Sequence, residues 1–403
     1  MLSVLLAHNY YKGANPSGEN VVFEAEAELL VAHGHTVHTY CRHSDEIYKW
    51  SARERLTLPK HLVWSKRSYV EMKGLISKTR PDVAHFHNTF PLISPSALRA
   101  CHDMSVPVVQ TLHNYRRLCI NGGFFRNGVE CQQCLGRKIP WRGVVHRCYG
   151  GSLSQSLAVA ALQSAERGSS SYLKDVDLYI APSEFVRRIY VAAGYPEQRI
   201  RVKPHFLNSA VEEFRERRNG AVFVGRLCVE KGVDILLSAW QELPEIPLLV
   251  IGDGPYATKM RAATASVRNV SWLGSVTPAE VLDHVRRAQC LVLPSRVPES
   301  FGLVAMEALA SGTPVIASNV GALPELVRDG YSGVLTAPGD SEDLVEKVRY
   351  LNRHPGLAAE LGANGQRDYQ RRFTRKMGYE ALIDAYRIAT GLEHEENEAL
   401  IHY

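Results

Sequence analysis

The feature that most constrains the fold of this chain is a repeated alternation of short apolar runs with longer helical patterns. The first apolar run, LSVLLAHNYY, is followed by the turn KGANPSGEN and by the helical stretch VVFEAEAELLVAHG. TVHTYCR then forms the next apolar run. Buried strands separated by helices are typical of a parallel sheet that is covered on both faces. The sequence therefore predicts an α/β protein of the doubly wound type.

The alternation occurs twice, because the charged stretch SAVEEFRERRNG interrupts it near the middle of the 403 residues. Domains typically have roughly 100 to 200 residues, so a chain of this length predicts two of them. We expect an N-terminal domain at 1–207, a linker at 208–218, a C-terminal domain at 219–365 and terminal helices at 366–403. Two such domains imply a cleft between them, because ligands of open α/β sheets bind at strand carboxyl ends.

Basic residues are concentrated in the N-terminal half, although the net charge of the whole chain is only +5. Positions 116–148 carry seven Lys and Arg residues against one acid, and positions 60–80 carry six against one. Such blocks indicate either a solvated face or a surface that attracts an anionic membrane or a phosphorylated acceptor. Nucleic acid is not expected as a partner, because aromatic residues make up only 8% and no recognition motif is present.

The sequence predicts no transmembrane helix, because it lacks a run of about 18 apolar residues. The first apolar run has the length of one strand and no basic segment before it, unlike a secretory signal. We therefore expect a cytoplasmic protein. Its basic N-terminal half is a candidate for peripheral attachment to the inner face of the plasma membrane.

The most informative segment is PSRVPESFGLVAMEALASGTPVIAS, which follows an apolar strand and opens a helix near Phe301. Glu299 lies in the loop before this helix and Glu307 about two turns within it, so both can approach one ligand. A carboxylate among apolar residues needs hydrogen-bond donors, and sugar or ribose hydroxyls supply them. Unpaired amides at the helix start can hold a phosphate.

Two further turns carry residues that suit a diphosphate. Arg226 and Lys231 follow the strand AVFVG and precede the helix VDILL, whereas Gly252 and Gly254 follow the next strand. Arginine pairs with phosphate oxygens as a planar fork and lysine as a point charge. Together with the paired glutamates, these turns predict a donor site in the C-terminal half.

The strings VGRLCVEKGVDILL, VIGDGP, LPSRVPESFGLVAMEALASGTPVIAS and GALPELVRDGYSGVL resemble the C-terminal half of the retaining GT-B glycosyltransferases of family 4 (glycosyl transferases group 1). The resemblance is dense over 221–340 and thins to single motifs in the N-terminal half. It implies a GT-B fold, in which two Rossmann-like domains face a central cleft. It also implies that the helices at 366–403 cross back to the N-terminal domain.

The resemblance assigns roles to individual residues. It implies that Glu299 contacts the donor sugar, that Glu307 binds the ribose, and that Arg226 and Lys231 neutralise the donor diphosphate. Gly252 belongs to the same predicted donor site. The loop that would present amides to the sugar and the phosphate consists of Phe301, Gly302, Leu303 and Val304.

In the N-terminal half, Gly18 in NPSGENVV resembles the family's glycine loop near the diphosphate or the acceptor. Ser17 stands where the family often has a first glycine, so a plain strand-to-helix turn is the alternative. His113 follows the strand VVQTL and matches a family histidine near the donor sugar, although a structural histidine is the alternative. We count His113 with Glu299, Arg226 and Lys231 as predicted catalytic residues. Two weaker cleft candidates end another strand, His85 and His87.

We expect transfer of a sugar from a UDP- or GDP-sugar to a saccharide or lipid-linked acceptor, in cell-surface polysaccharide or glycolipid synthesis. Bond cleavage develops negative charge on the diphosphate, which Arg226, Lys231 and the helix amides would stabilise without a metal or other cofactor. Retention could come from a covalent intermediate or from same-face attack, and the family is generally thought to use the second. The alternatives are a GT-B epimerase or hydrolase, and a silent nucleotide-sugar-binding subunit.

Four of the eight cysteines cluster in a basic insertion at 116–150. They form a C-x11-C-x2-C-x13-C pattern: Cys119, Cys131, Cys134 and Cys148. The central C-x2-C predicts a structural zinc site of four thiolates, in which His146 could replace one ligand; free or redox-paired cysteines are the alternative. The insertion follows His113 directly, and its charge suits a phosphate-bearing acceptor such as a polyprenyl-diphosphate-linked sugar.

Overall fold

A computed structural model of the protein describes residues 1–11, 17–51, 54–55, 57–208 and 219–392. Its contacts divide the chain into two compact units. Unit 1 comprises Met1–Gly123, Gln132–Pro204 and the described residues from Arg375 onward, and unit 2 comprises Phe124–Cys131 and His205–Thr374. Apart from Asn208, the predicted linker lies outside the described residues.

Short, mostly buried strands alternate with helices through the first half of the chain. Its strands are β1 (Ser3–Tyr10), β2 (Thr36–His43), β3 (Val83–Phe86), β4 (Val108–Thr111), β5 (Phe125–Arg126), β6 (Val129–Glu130), β7 (Leu178–Ala181) and β8 (Ile200–Val202). Its helices are α1 (Gly18–Ala32), α2 (Leu58–Val63), α3 (Lys66–Thr79), α4 (Ser94–Asp103), α5 (Trp141–Val145), α6 (Leu153–Ser169), α7 (Ser171–Lys174) and α8 (Glu184–Ala192). Short 3-10 helices occur at Ser44–Lys49 and Glu197–Arg199.

Unit 1 is built on a parallel sheet in the order β2-β1-β3-β4-β7-β8. Its central strands are buried on both faces; Leu5 and Leu6, adjacent in β1, are both fully buried. Such continuous apolar strands are expected where helices cover both sides of a sheet. The strand order reverses between β1 and β3, and ligands of doubly wound sheets bind at that point.

Unit 2 repeats the alternation in the second half of the chain. Its remaining strands are β9 (Ala221–Val224), β10 (Leu248–Ile251), β11 (Val270–Gly274), β12 (Cys290–Leu293), β13 (Val315–Ser318) and β14 (Gly333–Thr336). Its helices are α9 (Val233–Gln241), α10 (Ala257–Ser266), α11 (Pro278–Arg287), α12 (Leu303–Ala310), α13 (Leu323–Leu326), α14 (Ser341–Arg353) and α15 (Pro355–Arg372). A 3-10 helix spans Val229–Lys231.

The sheet of unit 2 has the order β11-β10-β9-β12-β13-β14, and all of its neighbouring strands are parallel. In sequence order this is 3-2-1-4-5-6, which is the strand order of the Rossmann fold. The order reverses between β9 and β12. Together the two sheets confirm the predicted pair of doubly wound α/β domains.

The last described helix, α16 (Arg375–Thr390), belongs to unit 1 although unit 2 precedes it in the chain. Leu382, Ala385 and Tyr386 of α16 are buried and join the same apolar core as Val4 and Leu6 of β1. The compact units divide the chain differently from the predicted domains at two places. Residues up to Thr374 of the predicted 366–403 tail lie in unit 2, as does Phe124–Cys131 of the predicted N-terminal domain.

The hairpin of β5 and β6 is the part of the 116–150 insertion that lies in unit 2. The rest of the insertion lies in unit 1, where Ile120 packs with Val159 and Ala160 of α6. Within the described ranges, no helix combines the length and the apolar character needed to cross a bilayer.

Candidate functional site

Unit 2 brings Lys231 and Glu299 together at the carboxyl ends of β9 and β12. Lys231 Nζ lies 2.6 Å from Glu299 Oε1, and Ser295 Oγ donates a hydrogen bond to the same oxygen at 2.6 Å. The two strands flank the reversal of strand order, where α/β sheets bind ligands. Two residues predicted from separate motifs therefore form one charge-balanced pair.

Two glycines hold the loop that carries Glu299. Gly321 has a φ of +64°, and a Cβ added there would collide with the backbone of Glu299. The Ala322 N–H donates to the Glu299 carbonyl at 2.9 Å, which fixes the same approach. Gly232, at φ +69°, likewise leaves no room for a Cβ beside the Pro294 carbonyl. Only glycine combines a positive φ with such close backbone contact, so these two glycines, which the sequence analysis did not single out, position the site.

Arg226 and Gly252, the predicted donor-site residues that follow β9 and β10, differ in their surroundings. Arg226 is exposed directly after β9. Gly252 has a φ of +127°, and a Cβ there would collide with the Gly225 carbonyl. The Leu227 N–H donates to the Asp253 carbonyl at 2.9 Å, so the two turns are tied together. Gly252 therefore acts through backbone packing, whereas Arg226 presents its side chain to solvent.

The predicted amide loop leads into α12. Phe301 is buried, and its ring lies edge-on to His205 at a centroid distance of 4.9 Å. Gly302 is the N-cap residue of α12 with a φ of +111°, and the part-buried Leu303 and Val304 form the first turn. The first amides of a helix have no partner within it, and the helix dipole favours an anion there. Phe301 thus anchors the loop in the core, and the amides that follow are available to a ligand.

Glu307 lies in α12, among residues that are mostly buried. Its Oε2 atom is buried and has no hydrogen-bond partner in the described part of the chain. Burial also raises the pKa of Glu307 to about 7. An unpaired buried acceptor costs about 1–3 kcal/mol, and more when it is charged. Such a group is expected where a ligand supplies the missing donors.

In unit 1, His113 ends a chain of buried polar side chains. His113 Nε2 lies 2.9 Å from His87 Nδ1, and His87 Nε2 lies 3.6 Å from Glu26 Oε2. Glu26 Oε1 in turn lies 2.7 Å from Lys203 Nζ, and all four residues are buried. The Glu26–Lys203 ion pair therefore lies near this histidine pair, but His87 Nε2 and Glu26 Oε2 form no hydrogen bond with each other.

His85 is bonded on both ring nitrogens, to Tyr386 Oη at 2.9 Å and to Thr111 Oγ1 at 2.8 Å. Burial lowers its pKa to about 4 and also lowers the pKa of His87 well below the ordinary range, so both imidazoles are neutral at pH 7. Atoms of Glu26, His85 and His87 lie close enough to share a cation. Lys203 already neutralises Glu26, and both nitrogens of His85 are bonded. Glu26 Oε2 and His87 Nε2, in contrast, have no hydrogen-bond partner among the described residues.

Sequence reasoning missed Glu26 and Lys203. In VVFEAEAELL the glutamates resemble the solvated face of an amphipathic helix, yet Glu26 is fully buried. The sequence spacing could have indicated that Glu26 is buried, because it lies three or four residues from the buried Val22, Leu29 and Leu30 and therefore on the same helical face.

Gly18 is exposed as the first residue of α1. Ser17 caps this helix by accepting a hydrogen bond from the Asn20 amide, so the serine at the family's glycine position has a local structural role. Glu19 follows in the first turn and lines a cavity together with His113.

The four cysteines of the predicted zinc site, Cys119, Cys131, Cys134 and Cys148, are free thiols in the structure, and zinc binding by them stays a prediction. Cys119 Sγ donates to Asn121 Oδ1 at 3.0 Å, and the buried Cys134 packs against Gly143. Apolar packing of Ile120 against α6 holds this part of the insertion in place.

The family model described as "Glycosyl transferases group 1" matches residues 206–368, and the model described as "Glycosyltransferase Family 4" matches residues 16–210. An uncharacterized glycosyltransferase of Methanocaldococcus jannaschii is 36% identical over 41% of this chain and 46% of its own length. The D-inositol 3-phosphate glycosyltransferase of Rhodococcus jostii is 36% identical over 43% of this chain and 41% of its own.

The sulfoquinovosyl transferase of Arabidopsis thaliana aligns over a longer region, with 28% identity over 68% of this chain and 51% of its own length. The matches thus span about half of the curated relatives or less. Among solved structures, Anabaena HepE in complex with UDP and glucose superposes with a TM-score of 0.66 at 17% identity, covering 95% of this chain and 99% of HepE. A sucrose-phosphate synthase of Thermosynechococcus elongatus gives a TM-score of 0.67 at 19% identity over the whole of both chains. At these identities the structural matches bear on the fold alone.

Proposed function

Because the chain belongs to the group 1, family 4 glycosyltransferases, we propose that it moves a sugar from a nucleotide-sugar donor to a saccharide acceptor with retention of configuration. The observation that carries the proposal is the buried Oε2 atom of Glu307, which has no hydrogen-bond partner among the described residues and lies in the second turn of the helix that follows Glu299. A ribose diol can supply the donors that this oxygen lacks. The neighbouring Lys231 and the first amides of α12 suit a diphosphate.

We propose a uridine nucleotide as the donor base, with guanosine as the alternative. The support is indirect: the Anabaena protein of the same fold binds UDP and glucose. Unit 2 has the strand order of dinucleotide-binding sheets, and its candidate residues lie at the reversal of that order.

In the proposed reaction the bond between the anomeric carbon and the diphosphate oxygen breaks, and a bond from that carbon to an acceptor oxygen forms on the same face. The proton of the acceptor hydroxyl passes to the leaving phosphate. Lys231, Arg226 and the α12 amides stabilise the charge that develops on the diphosphate, and Glu299 orients the sugar. The family resemblance proposes His113 as a further contact of the donor sugar.

The test is a panel of UDP- and GDP-sugars, measured by thermal shift and by release of nucleoside diphosphate with and without saccharide acceptors. We expect one donor to stabilise the chain and nucleotide release to rise when an acceptor is added. Release without any acceptor dependence would favour a hydrolase or epimerase, whereas binding without release would favour a silent binding subunit. If no nucleotide stabilises the chain, the proposal fails.

Replacing Lys231 with Met should lower the affinity for UDP about tenfold, because a charge-assisted phosphate contact contributes about 1.5–3 kcal/mol. Uridine binding should be unchanged, because uridine has no diphosphate. The control is Lys259→Met, because Lys259 belongs to the same unit but is exposed, whereas Lys231 pairs with Glu299. Calorimetric titration with both ligands distinguishes the outcomes. Equal losses for UDP and uridine would show that Lys231 supports the fold of the site and not the diphosphate.

We also propose that the basic insertion attaches the protein to an anionic membrane. Arg137 and Lys138 are exposed, and Ile139 and Trp141 beside them expose 63% and 51% of their surface. Exposed apolar side chains next to cations are typical of segments that lie in the membrane interface.

Neutralising Arg137, Lys138 and Arg142 with Gln should reduce binding to phosphatidylglycerol vesicles by about 100-fold at low salt, since each basic residue contributes about 1 kcal/mol near an anionic surface. Cosedimentation measures the effect. The control is Gln at three exposed basic positions of unit 2, Lys259, Arg261 and Arg268. Equal binding of both triple variants would remove the insertion from any membrane contact.

A further inference from the structure

Ser295 lies just beyond the carboxyl end of β12, beside the predicted donor site, and it is buried. Its hydroxyl donates a hydrogen bond to Glu299 Oε1 at 2.6 Å, and within the described ranges this is the one hydrogen bond that the hydroxyl makes. A buried hydroxyl needs a partner, and here the partner is the carboxylate of a predicted catalytic residue. The Ser295 hydroxyl therefore acts on a side chain of the site and not on the backbone around it.

The backbone on both sides of Ser295 is held by other contacts. The Pro294 carbonyl before it packs directly against Gly232, where no Cβ would fit. The Arg296 N–H after it donates to the Glu230 carbonyl at 2.9 Å. A serine side chain has one staggered torsion, so a fixed backbone leaves its hydroxyl few positions. The hydroxyl is therefore placed independently of its acceptor, and the loop does not need it to keep its path.

Glu299 Oε1 has a second donor, the ammonium group of Lys231, at 2.6 Å. The two donors differ in what surrounds them. The Lys231 side chain is 34% exposed and ends a flexible stem, whereas Ser295 is 2% exposed. Lys231 can therefore turn toward a ligand, and Ser295 stays where the backbone holds it.

Binding of a diphosphate would draw Lys231 away from Glu299, because the phosphate oxygens compete for the same ammonium group. The Ser295 hydroxyl would then be the donor that stays on Oε1. A carboxylate at the end of several free torsions needs such a fixed donor to keep one orientation, because each torsion has several staggered states. A contact held in one orientation can meet the reacting sugar at a defined place.

We propose that Ser295 is a positioning residue of the donor site, which holds the Glu299 carboxylate toward the donor sugar while Lys231 binds the diphosphate. The proposal rests on the proposed transferase function. Ser295 contacts neither the sugar nor the phosphate, and it acts through Glu299. Loss of its hydroxyl should therefore affect ligands that carry a sugar and spare ligands that do not.

The test is calorimetric titration of the full chain with UDP-glucose and with UDP. Where the donor panel selects another nucleotide-sugar, that compound and its nucleoside diphosphate take their place. Ser295→Ala removes one oxygen atom and should lower the affinity for the nucleotide-sugar about tenfold, the loss expected for a hydrogen bond to a charged group. Its affinity for the nucleoside diphosphate should match that of the wild type.

The control is Ser332→Ala, because Ser332 is also buried in unit 2 but accepts a hydrogen bond from the Arg328 N–H at 3.0 Å. A hydroxyl that bonds only to backbone in this way has no acceptor in the donor site. Ser332→Ala should therefore bind both ligands like the wild type, whatever its effect on stability.

A double-mutant cycle shows whether Ser295 acts through Glu299. In the Glu299→Ala background the hydroxyl has lost its acceptor, so adding Ser295→Ala should cause no further loss of nucleotide-sugar affinity. The proposal is wrong if the two losses add, if Ser295→Ala weakens both ligands equally, or if it weakens neither. If the wild type binds no nucleoside diphosphate, the donor site itself is wrong, and that failure is seen before any variant is made.

Discussion

Replacing Glu307 with Ala should lower the affinity for the nucleotide-sugar donor about 100-fold. Glu307 Oε2 is buried without a partner in the described residues, so we expect the ribose of the donor to supply its hydrogen bonds. Hydrogen bonds to a charged group contribute about 1.5–3 kcal/mol each, and a ribose diol supplies two. Calorimetric titration of the donor measures the loss. The control is Glu346→Ala, which removes an exposed glutamate of α14 in the same unit and should leave affinity unchanged.

The raised pKa of Glu307 makes the same site sensitive to pH. Donor affinity of the wild type should fall as the pH drops through about 7, because protonation removes the charge that accepts the ribose hydrogen bonds. In the ligand-free protein the effect of pH is the reverse: the fold becomes more stable, not weaker, as the pH drops. A carboxyl whose pKa is higher in the folded than in the unfolded state destabilises the fold as the pH rises from about 4.5 to 7.

Glu307→Gln should therefore stabilise the ligand-free protein at pH 8 by about 3 kcal/mol and have little effect at pH 4.5. Chemical unfolding at the two pH values measures the difference. Stabilisation at neither pH would mean that the carboxyl is well solvated, and the case for an unsatisfied ribose site would be lost with it.

Replacing Glu26 with Ala should destabilise unit 1 by about 3–5 kcal/mol, because it leaves the Lys203 ammonium buried without its counter-ion. In a unit of this size the loss corresponds to a fall in melting temperature of roughly 6–20 °C. Differential scanning calorimetry of the full chain measures the melting temperature of unit 1. Glu24→Ala provides the control, because Glu24 lies two residues earlier on the same helix and is exposed.

A double variant separates the two roles of the ion pair. Glu26→Leu with Lys203→Met removes both charges and should recover most of the lost stability, since buried pairs contribute little beyond apolar residues of similar volume. If Glu26 also supports His113 through His87, the double variant should fold and still lose transfer activity. Full activity would limit Glu26 to a structural role.

The sequence predicted the two doubly wound domains because apolar runs of strand length are a local property of the chain. It also placed Lys231 and Glu299 correctly at strand ends, since parallel strands bring their carboxyl ends to one edge of the sheet. It could not show that these two side chains form one ion pair 2.6 Å long, because that contact joins loops 68 residues apart.

Other features could not be predicted from the sequence, for physical reasons. The cysteine spacing is compatible with zinc, but spacing does not show where Cys119 and Cys134 point. Glu26 was not singled out, because its buried partner, Lys203, lies 177 residues away. Interactions of long sequence separation are set by the fold and leave no local pattern.

The position of α16 determines the order in which this protein can mature during its synthesis. The core of unit 1 contains Leu382 and Tyr386, which are translated only after all of unit 2. The segment from His205 to Thr374 has 170 residues and takes about 10–30 s to translate at roughly 5–20 residues per second. During that interval the nascent N-terminal unit exposes the apolar surface that α16 will cover. Unit 2 can close first, so the half of the chain that emerges earliest from the ribosome is the last to be completed.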